Sequence, residues 1–498
     1  MILTTLTLAA FTSAAAPQLL DRGIAFGIPL NYGVDANGVD WGPQFRQADH
    51  ATVAINDQRD ILVAFHSSRD DYNPDLKQVE IAYFQYNSAS GNWSLLDRRL
   101  VGDVKYSPLA PLYAQIQVMC ERPDVIAVGD RFFVVWTRIY DRAVDFPNQV
   151  NEPSVLECAW IQRVGTTVNV HNNSLGAGQG VILDGNYYSR ECAGVPDAVV
   201  LDAPAGGPWK VGVVYPTQTD FGDIDPITSL PPGDNDRLCN LRLATCTIDV
   251  NNVISPPTVV TLRSGIPFDG DTAPLNMESA GLILPDCAPT SQPNQFWLAY
   301  EEQLNPGGPL PDGKIRLEYW ELLSTGSWNL AASKTFSSGA GPVVRRRPNV
   351  SAFPQTGSGF EYVSLAFSKS VANNDGDVVY EQWKYSGSGL VREEWPLETG
   401  FENSTDDEIR PVPLHGRTSP FTRRCYVDFE DHAGGLCEIR MYNVVNDLTT
   451  TLQSSLDGLG RPAVAYQFHA PATSDFFALV WEQFAPGAAF MRVWLRVD

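Results

Sequence analysis

Lysine is scarce in this chain of 498 residues: it supplies 7 of the 35 basic residues, against 58 acidic ones. The formal net charge of −23 argues against nucleic acid or an anionic membrane as a partner, because both require basic patches. No apolar run beyond the N-terminal segment reaches the roughly 20 residues of a transmembrane span. Cys-x-x-Cys motifs and paired Cys/His spacings are missing as well, and the six histidines form no triad pattern.

The first sixteen residues predict an export signal. Residues 2–16 are small and apolar and end in three alanines, which resembles a secretory signal peptide. The eight cysteines, an even number, fit an oxidising compartment. We therefore expect a signal peptide at 1–16, a single domain at 17–498 and a secreted or cell-envelope location.

A repeated unit organises the rest of the sequence. In residues 122–136, Arg-Pro-Asp opens a short apolar strand, Gly-Asp makes a turn, and a second strand ends on Trp136. The same pattern returns at intervals of 51 to 85 residues. Aligned on Pro123, the copies fall at Ala51, Pro123, Pro196, Gly281, Pro348, Pro411 and Pro462.

Each copy continues with a third β-rich segment, and a tight turn after it predicts a fourth strand. Seven four-stranded antiparallel units in tandem predict an all-β, seven-bladed β-propeller, with blades starting near 50, 122, 195, 280, 347, 410 and 461. The last unit is one strand short, and we expect an N-terminal strand at 23–30 to complete it. A β-sandwich array or a β-solenoid is the alternative. We expect a monomer.

The loops predict one functional face, here called the top face, on which the innermost strands begin. Loops from the second to the third strand open on this face and are long, as at 138–154 and 217–236. Turns on the other face are short. Long loops on a rigid scaffold commonly carry binding and catalysis.

Cys425 and Cys437 flank one predicted hairpin, and we expect them to form a disulfide. Cys120 and Cys192 occupy similar positions in neighbouring units, as do Cys158 and Cys239. The pairing of these cysteines stays open.

A ring of charge is predicted at the top face. Arginine precedes proline at Arg122, Arg347, Arg410 and Arg461, and glutamate follows the second-strand aromatic at Glu301, Glu430 and Glu482. We expect Arg410 to pair with Glu430, and Arg461 with Glu482, within their blades. Arg122, Arg347 and Glu301 have no such partner and are the predicted ligand-binding residues, because an arginine fork binds carboxylate or sulfate. Partners from neighbouring loops are the alternative.

Acidic residues provide further candidates. Asp124 and Asp197 follow the proline in the second and third units. Calcium is a possible ligand of two acidic loops, since calcium prefers oxygen ligands. These weak calcium candidates are Asp220, Asp223, Asp225, Asp375 and Asp377. Solvated acidic loops are the alternative.

The blade pattern, the arginines and the signal peptide together resemble secreted bacterial propellers of the sialidase-like group, over about residues 50–498. The Asp-box of that group, Ser-x-Asp-x-Gly-x-Thr-Trp, is absent here. The resemblance implies three substrate-binding arginines, a Tyr–Glu nucleophile pair and an acidic acid–base residue. Arg122, Arg347 and either Arg345 or Arg346 match the first role, Tyr300 with Glu301 the second, and Asp124 or Asp197 the third.

The sequence therefore predicts a secreted, glycan-directed propeller that binds, or binds and hydrolyses, an acidic or polyol carbohydrate at the top face. A non-catalytic extracellular or envelope scaffold that binds protein partners is the alternative. Apart from calcium, we expect no cofactor.

Overall fold

A computed structural model describes most of the predicted strands. The described residues are 18–19, 48–68, 77–102, 117–141, 154–175, 178–185, 192–193, 195–218, 238–267, 284–303, 313–336, 343–352, 359–371, 375–393, 407–415, 423–431, 436–443, 448–455, 459–467, 476–484 and 491–497. Within these ranges the regular secondary structure is β-strand, and no helix is long and apolar enough to cross a bilayer.

The described strands form seven antiparallel sheets, here called blades one to seven in chain order. Blade one contains β2 (Ala48–Ile55), β3 (Ile61–Ser68), β4 (Lys77–Asn87) and β5 (Asn92–Gly102). Blade two contains β6 (Gln117–Val128), β7 (Arg131–Asp141), β8 (Ser154–Val164), β9 (Thr167–His171) and β10 (Val181–Asp184). Blade three contains β11 (Cys192–Ala193), β12 (Asp197–Asp202), β13 (Trp209–Gln218), β14 (Leu238–Ile248) and β15 (Thr258–Pro267).

The remaining blades follow the same order from the innermost strand outward. Blade four contains β16 (Asp286–Pro289), β17 (Gln295–Gln303), β18 (Gly313–Leu322) and β19 (Trp328–Phe336). Blade five contains β20 (Val343–Ser351), β21 (Glu361–Val371), β22 (Asp375–Tyr385) and β23 (Leu390–Arg392). Blade six contains β24 (Asp407–His415), β25 (Arg423–Asp431), β26 (Leu436–Asn443) and β27 (Leu448–Ser455). Blade seven contains β28 (Leu459–Gln467), β29 (Phe476–Phe484), β30 (Met491–Val497) and β1 (Gln18–Leu19).

The blades are arranged as a propeller. The innermost strands are in contact in the order β2, β6, β12, β16, β20, β24 and β28, and β28 contacts β2 in turn. The prediction of four-stranded antiparallel blades in an all-β propeller is therefore confirmed.

The apolar core lies between neighbouring blades, because the described parts of the second strands outside blade six are covered on both faces. Residues 132–136 of β7 are fully buried. Their side chains alternate between two clusters: Phe132, Val134 and Trp136 pack towards blade one, and Phe133 and Val135 towards blade three. This alternation explains why the second strands read as continuous apolar runs.

An N-terminal strand does join the last blade, but it is not the segment we expected. Gln18 pairs with Leu495 and Leu19 with Trp494, so β1 is the outermost strand beside β30. The predicted segment 23–30 lies outside the described residues. The pairing strand thus comes about five residues earlier in the chain than predicted.

The expected Cys425–Cys437 disulfide is wrong. In the β25–β26 ladder Cys425 faces Tyr442, whereas Cys437 faces Glu430. The two cysteines are therefore offset by five positions along the hairpin, about 17 Å at strand spacing, far beyond the separation that a disulfide allows. Cys425 lies six residues before the end of β25, whereas Cys437 is the second residue of β26, so the two residues do not face each other across the hairpin.

Candidate functional site

The innermost strands share a β-bulge near their top end. The ladder with the second strand breaks at the same point in five blades: between Asp49 and Thr52, Glu121 and Asp124, Arg346 and Asn349, Ile409 and Val412, and Gly460 and Ala463. In blades three and four, β12 and β16 begin at the equivalent residues, Asp197 and Asp286. A bulge bends the strand and changes the direction of a side chain.

Both predicted ligand-binding arginines occupy this bulge. The φ angle is 51° at Arg122, 53° at Arg347, 49° at His50 and 40° at Leu284. Such left-handed backbone is uncommon for residues other than glycine, and it concentrates at functional or structurally constrained points. Both arginines are half-buried.

Two buried glutamates hold the bulges of neighbouring blades. Glu301 Oε2 accepts a hydrogen bond from the Arg347 backbone N–H at 3.2 Å, and Glu482 Oε1 accepts one from the His50 N–H at 2.6 Å. The two glutamates are 3% and 2% exposed. In each case the glutamate belongs to the preceding blade, so the carboxylate joins one blade to the next. Glu301 therefore lies beside the backbone of Arg347, and the ligand-binding role of the two residues stays a prediction.

The strand register does not place Arg410 opposite Glu430 or Arg461 opposite Glu482, and the expected ion pairs within blades six and seven stay predictions. Asp407, and not Arg410, faces Glu430. Gly460 faces Glu482, with Arg461 in the adjoining bulge. The sequence alignment placed these arginines opposite the glutamates because it did not include the bulge, which shifts the ladder.

A belt of aspartates follows the bulges. Asp124 Oδ2 accepts the Ala198 N–H at 2.8 Å, Asp197 Oδ2 accepts the Cys287 N–H at 2.6 Å, and Asp286 Oδ2 accepts the Val350 N–H at 2.6 Å. We call these three aspartates the carboxyl belt. Each carboxyl group reaches the innermost strand of the next blade, so the belt connects blades two to five.

Neutral side chains extend the belt on both sides. Thr52 Oγ1 donates to Asp124 Oδ1 at 3.0 Å, and Asn349 Nδ2 donates to the Pro411 carbonyl at 2.8 Å. The equivalent residues of blades six and seven are Val412 and Ala463. The residues at this position are therefore polar in blades one to five and apolar in blades six and seven.

The electrostatics of the carboxyl belt favour its protonated form. Burial raises the pKa of Asp124, and raises that of Asp286 to about 7. Burial together with the charges of Asp286 and Asp124 raises the pKa of Asp197 well above its usual range. Protein surrounds the three carboxyl groups, and each residue as a whole is half-buried. The belt can thus donate as well as accept hydrogen bonds near neutral pH.

Asp286 was missed because the fourth copy of the repeat was misaligned. Gly281 was matched to Pro123, but the equivalent residue is Pro285, so this blade starts four residues later than predicted. The sequence does contain a pattern that locates Asp286: the dipeptide Pro-Asp occurs at 123–124, 196–197 and 285–286. Residues 282–284 are apolar, which made the strand seem to begin earlier.

The structure does not bring Tyr300 and Glu301 together at one site. Adjacent strand residues point to opposite faces. The Tyr300 hydroxyl donates to Glu318 Oε1 at 3.0 Å inside the core between blades three and four, whereas Glu301 contacts blade five. Burial and the charge of Glu318 raise the pKa of Tyr300, which opposes its use as a phenolate nucleophile.

The calcium candidates gain no support. Asp220, Asp223 and Asp225 lie outside the described residues. Asp375 and Asp377 belong to β22, where they face Val371 and Lys369. Among the residues that the structure describes, no group of three or more His, Cys, Asp or Glu side chains is arranged to hold a metal ion.

No protein-family model and no curated protein matches the chain. Solved structures that resemble it share little of its sequence. An ulvan lyase from a family of polysaccharide lyases gives a TM-score of 0.48 and 10% identity, covering 88% of this chain and 91% of that chain. The hemagglutinin-neuraminidase ectodomain of parainfluenza virus 5 gives 0.42 and 7%, covering 91% and 80%. A protein of unknown function from Dyadobacter fermentans gives 0.40 and 9%, covering 91% and 95%.

Proposed function

We propose that this protein binds a polyhydroxylated carbohydrate, with an acidic group on at least one sugar, where the innermost strands begin. The observation that carries the proposal is the carboxyl belt beside the bulged arginines. Three half-buried aspartates lie at the equivalent position of consecutive blades, and Arg122 and Arg347 lie at bulges of the innermost strands.

The chemistry of these groups suits a sugar. A carboxyl group that shares its proton accepts from one hydroxyl and donates to another, which matches the mixed donors and acceptors of a polyol. An arginine fork binds carboxylate or sulfate in two parallel hydrogen bonds. Ionised belt aspartates would repel an anionic ligand, and protonation of the aspartates reduces that repulsion.

Binding, and not hydrolysis, is the activity we propose. Hydrolysis by paired carboxyl groups requires two groups on opposite sides of a scissile bond. Each belt aspartate is instead committed to a backbone N–H of the next blade, and Asp124 has a partner on each of its two oxygens. Such fixed groups are arranged to hold a ligand.

A glycan microarray tests the proposal with wild-type protein and three variants. Wild type is expected to bind uronate-containing or sulfated glycans. Asp197→Asn and Arg122→Ala are expected to weaken that binding at least about tenfold, the usual cost of one charge-assisted hydrogen bond. Arg99→Ala is the control, because Arg99 pairs with Asp97 on the outermost strand of blade one.

Two results would overturn the proposal. One is the absence of any glycan signal from folded wild-type protein, which would favour a scaffold that binds protein partners. The other is an equal loss of signal in all three variants, which would mean that the belt and the bulged arginine have no special part in recognition.

We further infer that the seven sheets are the seven blades of one closed ring, and that the protein is exported through its N-terminal segment. The contacts of β28 with β2 support the ring. A high-resolution electron-density map checks the blade count. N-terminal sequencing of protein recovered from the periplasm or medium checks the export signal.

A further inference from the structure

Two aspartates of neighbouring blades are in direct contact within the carboxyl belt. Asp197 Oδ2 accepts the N–H of Cys287 at 2.6 Å, which places the Asp197 carboxyl group beside Asp286, the residue before Cys287. The side chains of Asp197 and Asp286 are hydrogen-bonded to each other. Since an ionised carboxylate has no proton to donate, at least one of these two carboxyl groups is protonated.

The surroundings of the pair decide which carboxyl group keeps its proton. Burial, together with the charges of Asp286 and Asp124, raises the pKa of Asp197 well above its usual range. Burial also raises the pKa of Asp286, to about 7, while hydrogen bonds from the Val350 N–H and from Asp197 stabilise its ionised form. Asp197 is therefore the donor in the shared hydrogen bond, and Asp286 is the group that ionises first.

The neighbours of Asp286 come from every strand packed against it. The titratable groups beside it are Asp124 of β6, Asp197 of β12 and Cys287 of β16. The Cys287 thiol stays protonated near neutral pH, because burial raises its pKa well above the ordinary value. On β17 the partner of Asp286 in the ladder is Ala299, and on β20 it is the Val350 N–H that makes the contact.

Ionisation of Asp286 changes the charge of the pair in one step. With both protons present the pair is neutral, and after the first proton passes to solvent it carries one negative charge. The protein around the pair screens this charge less than water would. An anionic group bound nearby is therefore repelled after the ionisation and not before it, whereas a neutral sugar is unaffected.

We propose that ionisation of Asp286, in hydrogen-bond contact with Asp197, releases acidic glycans from the carboxyl belt, so that the protein binds them in mildly acidic surroundings and releases them in alkaline ones. This inference rests on the proposed function and describes how binding at that site is regulated. No covalent bond of the ligand changes, and the proton that leaves Asp286 is taken up by water or buffer.

Infrared difference spectra of the full-length protein between pH 5.5 and pH 8.5 test the proton without any glycan. Wild type is expected to lose absorption of a carboxylic acid group as pH rises. Asp286→Asn is expected to lose less, because an amide keeps the shape of the side chain but does not ionise. Asp130→Asn is the matched control, since this side chain is 40% exposed, and it is expected to lose as much as wild type.

A glycan microarray read at the same two pH values tests the regulation. Wild-type signals from uronate-containing or sulfated glycans are expected to be at least about tenfold weaker at pH 8.5, the effect of one added charge at roughly 10 Å in a medium of intermediate dielectric. Signals from neutral glycans are expected to stay unchanged. Asp286→Asn is expected to give a smaller ratio between the two pH values, and Asp130→Asn the wild-type ratio.

The inference is overturned if wild type loses no carboxylic-acid absorption, if its binding of acidic glycans does not vary with pH, or if Asp286→Asn keeps the wild-type ratio. Should Asp286→Asn fail to fold in a thermal melt, the midpoints of the infrared change and of the array signal in wild type replace it. Coincident midpoints near pH 7 support the inference, and separate midpoints overturn it. A normal infrared change without glycan signal at either pH would instead overturn the proposed function.

Discussion

Glu482 Oε1 lies 2.6 Å from the backbone nitrogen of His50, a residue that precedes it by 432 positions in the chain. This hydrogen bond connects blade seven to blade one. The corresponding contact of Glu301 with the Arg347 N–H connects blade four to blade five. A glutamate at the end of a second strand thus stabilises the bulge of the next blade at two separate points of the ring.

Replacement of either glutamate by alanine should destabilise the protein. Glu482→Ala and Glu301→Ala each leave a bulge N–H without its acceptor, at a cost of about 1–3 kcal/mol in the free energy of unfolding. Glu302→Ala is the control, because Glu302 pairs with the partly exposed Arg316, and such pairs contribute less than about 1 kcal/mol. Urea denaturation measures all three. Equal losses would show that the contacts have no special role.

Stability should fall as pH rises from about 4 to about 7. Folding raises the pKa of the belt aspartates above the ordinary value of 3.8, to about 7 for Asp286. Between those values the folded state binds more protons than the unfolded state. The contribution of the belt aspartates to the free energy of unfolding is therefore complete at low pH, and it is lost as pH rises through the folded pKa.

Thermal melts between pH 4.5 and pH 8 check this dependence. Asp286→Asn keeps the shape of the side chain but removes its titration, so its melting temperature should vary less with pH than that of wild type. Asp130→Asn, at a side chain that is 40% exposed, should keep the wild-type slope. A wild-type melting temperature that rises steadily towards pH 7 would contradict the prediction.

A buried ion pair joins blades one and two at the face opposite the top. Asp60 is 0% exposed, and it accepts hydrogen bonds from Arg163 Nε at 2.6 Å and from the Tyr83 hydroxyl at 2.7 Å. Asp60→Ala should lower the free energy of unfolding by about 3 kcal/mol, because Arg163 and Tyr83 both lose a buried partner. Asp130→Ala, which breaks a more exposed pair, should cost under about 1 kcal/mol by guanidinium denaturation.

Peptide mapping of non-reduced protein should find no peptide that links Cys425 to Cys437.

Cys158 and Cys246 are buried thiols in the core between blades two and three. Burial raises the pKa of Cys158, and raises that of Cys246 to about 12. Both should therefore resist iodoacetamide in native protein and react after denaturation, because the thiolate is the reactive form. Alkylation of both under native conditions would contradict this.

Two truncations distinguish the contribution of residues 1–16 to stability from that of β1, the strand that follows them. Removal of residues 1–16 should leave the melting temperature unchanged. Removal of residues 1–20 also removes β1, which exposes the edge of β30 and should lower the melting temperature. Identical melting of the two truncations would show that the pairing of Gln18 and Leu19 adds no stability.

The repeat in the sequence was sufficient to predict an all-β propeller of four-stranded antiparallel blades. Alternating apolar residues predict strands with one buried face, because successive side chains of a strand point to opposite faces. Continuous apolar runs such as 132–136 predict strands buried on both faces, as the second strands are. Recurrence of the pattern then predicted stacked antiparallel blades. The Pro-Asp dipeptides also directed attention to Asp124 and Asp197, although a misplaced alignment excluded Asp286.

Only the tertiary structure decided what those residues contact. In blade six the bulge between Ile409 and Val412 shifts the ladder, so Asp407, and not Arg410, is the strand neighbour of Glu430. Contacts between blades, such as that of Asp197 with the Cys287 N–H, join residues 90 positions apart, and no local pattern encodes them. The same holds for His50 and His66, whose ring nitrogens lie 3.2 Å apart although the two residues belong to different strands. Local sequence determines which residues form a strand, whereas the packing of strands and blades determines which side chains meet.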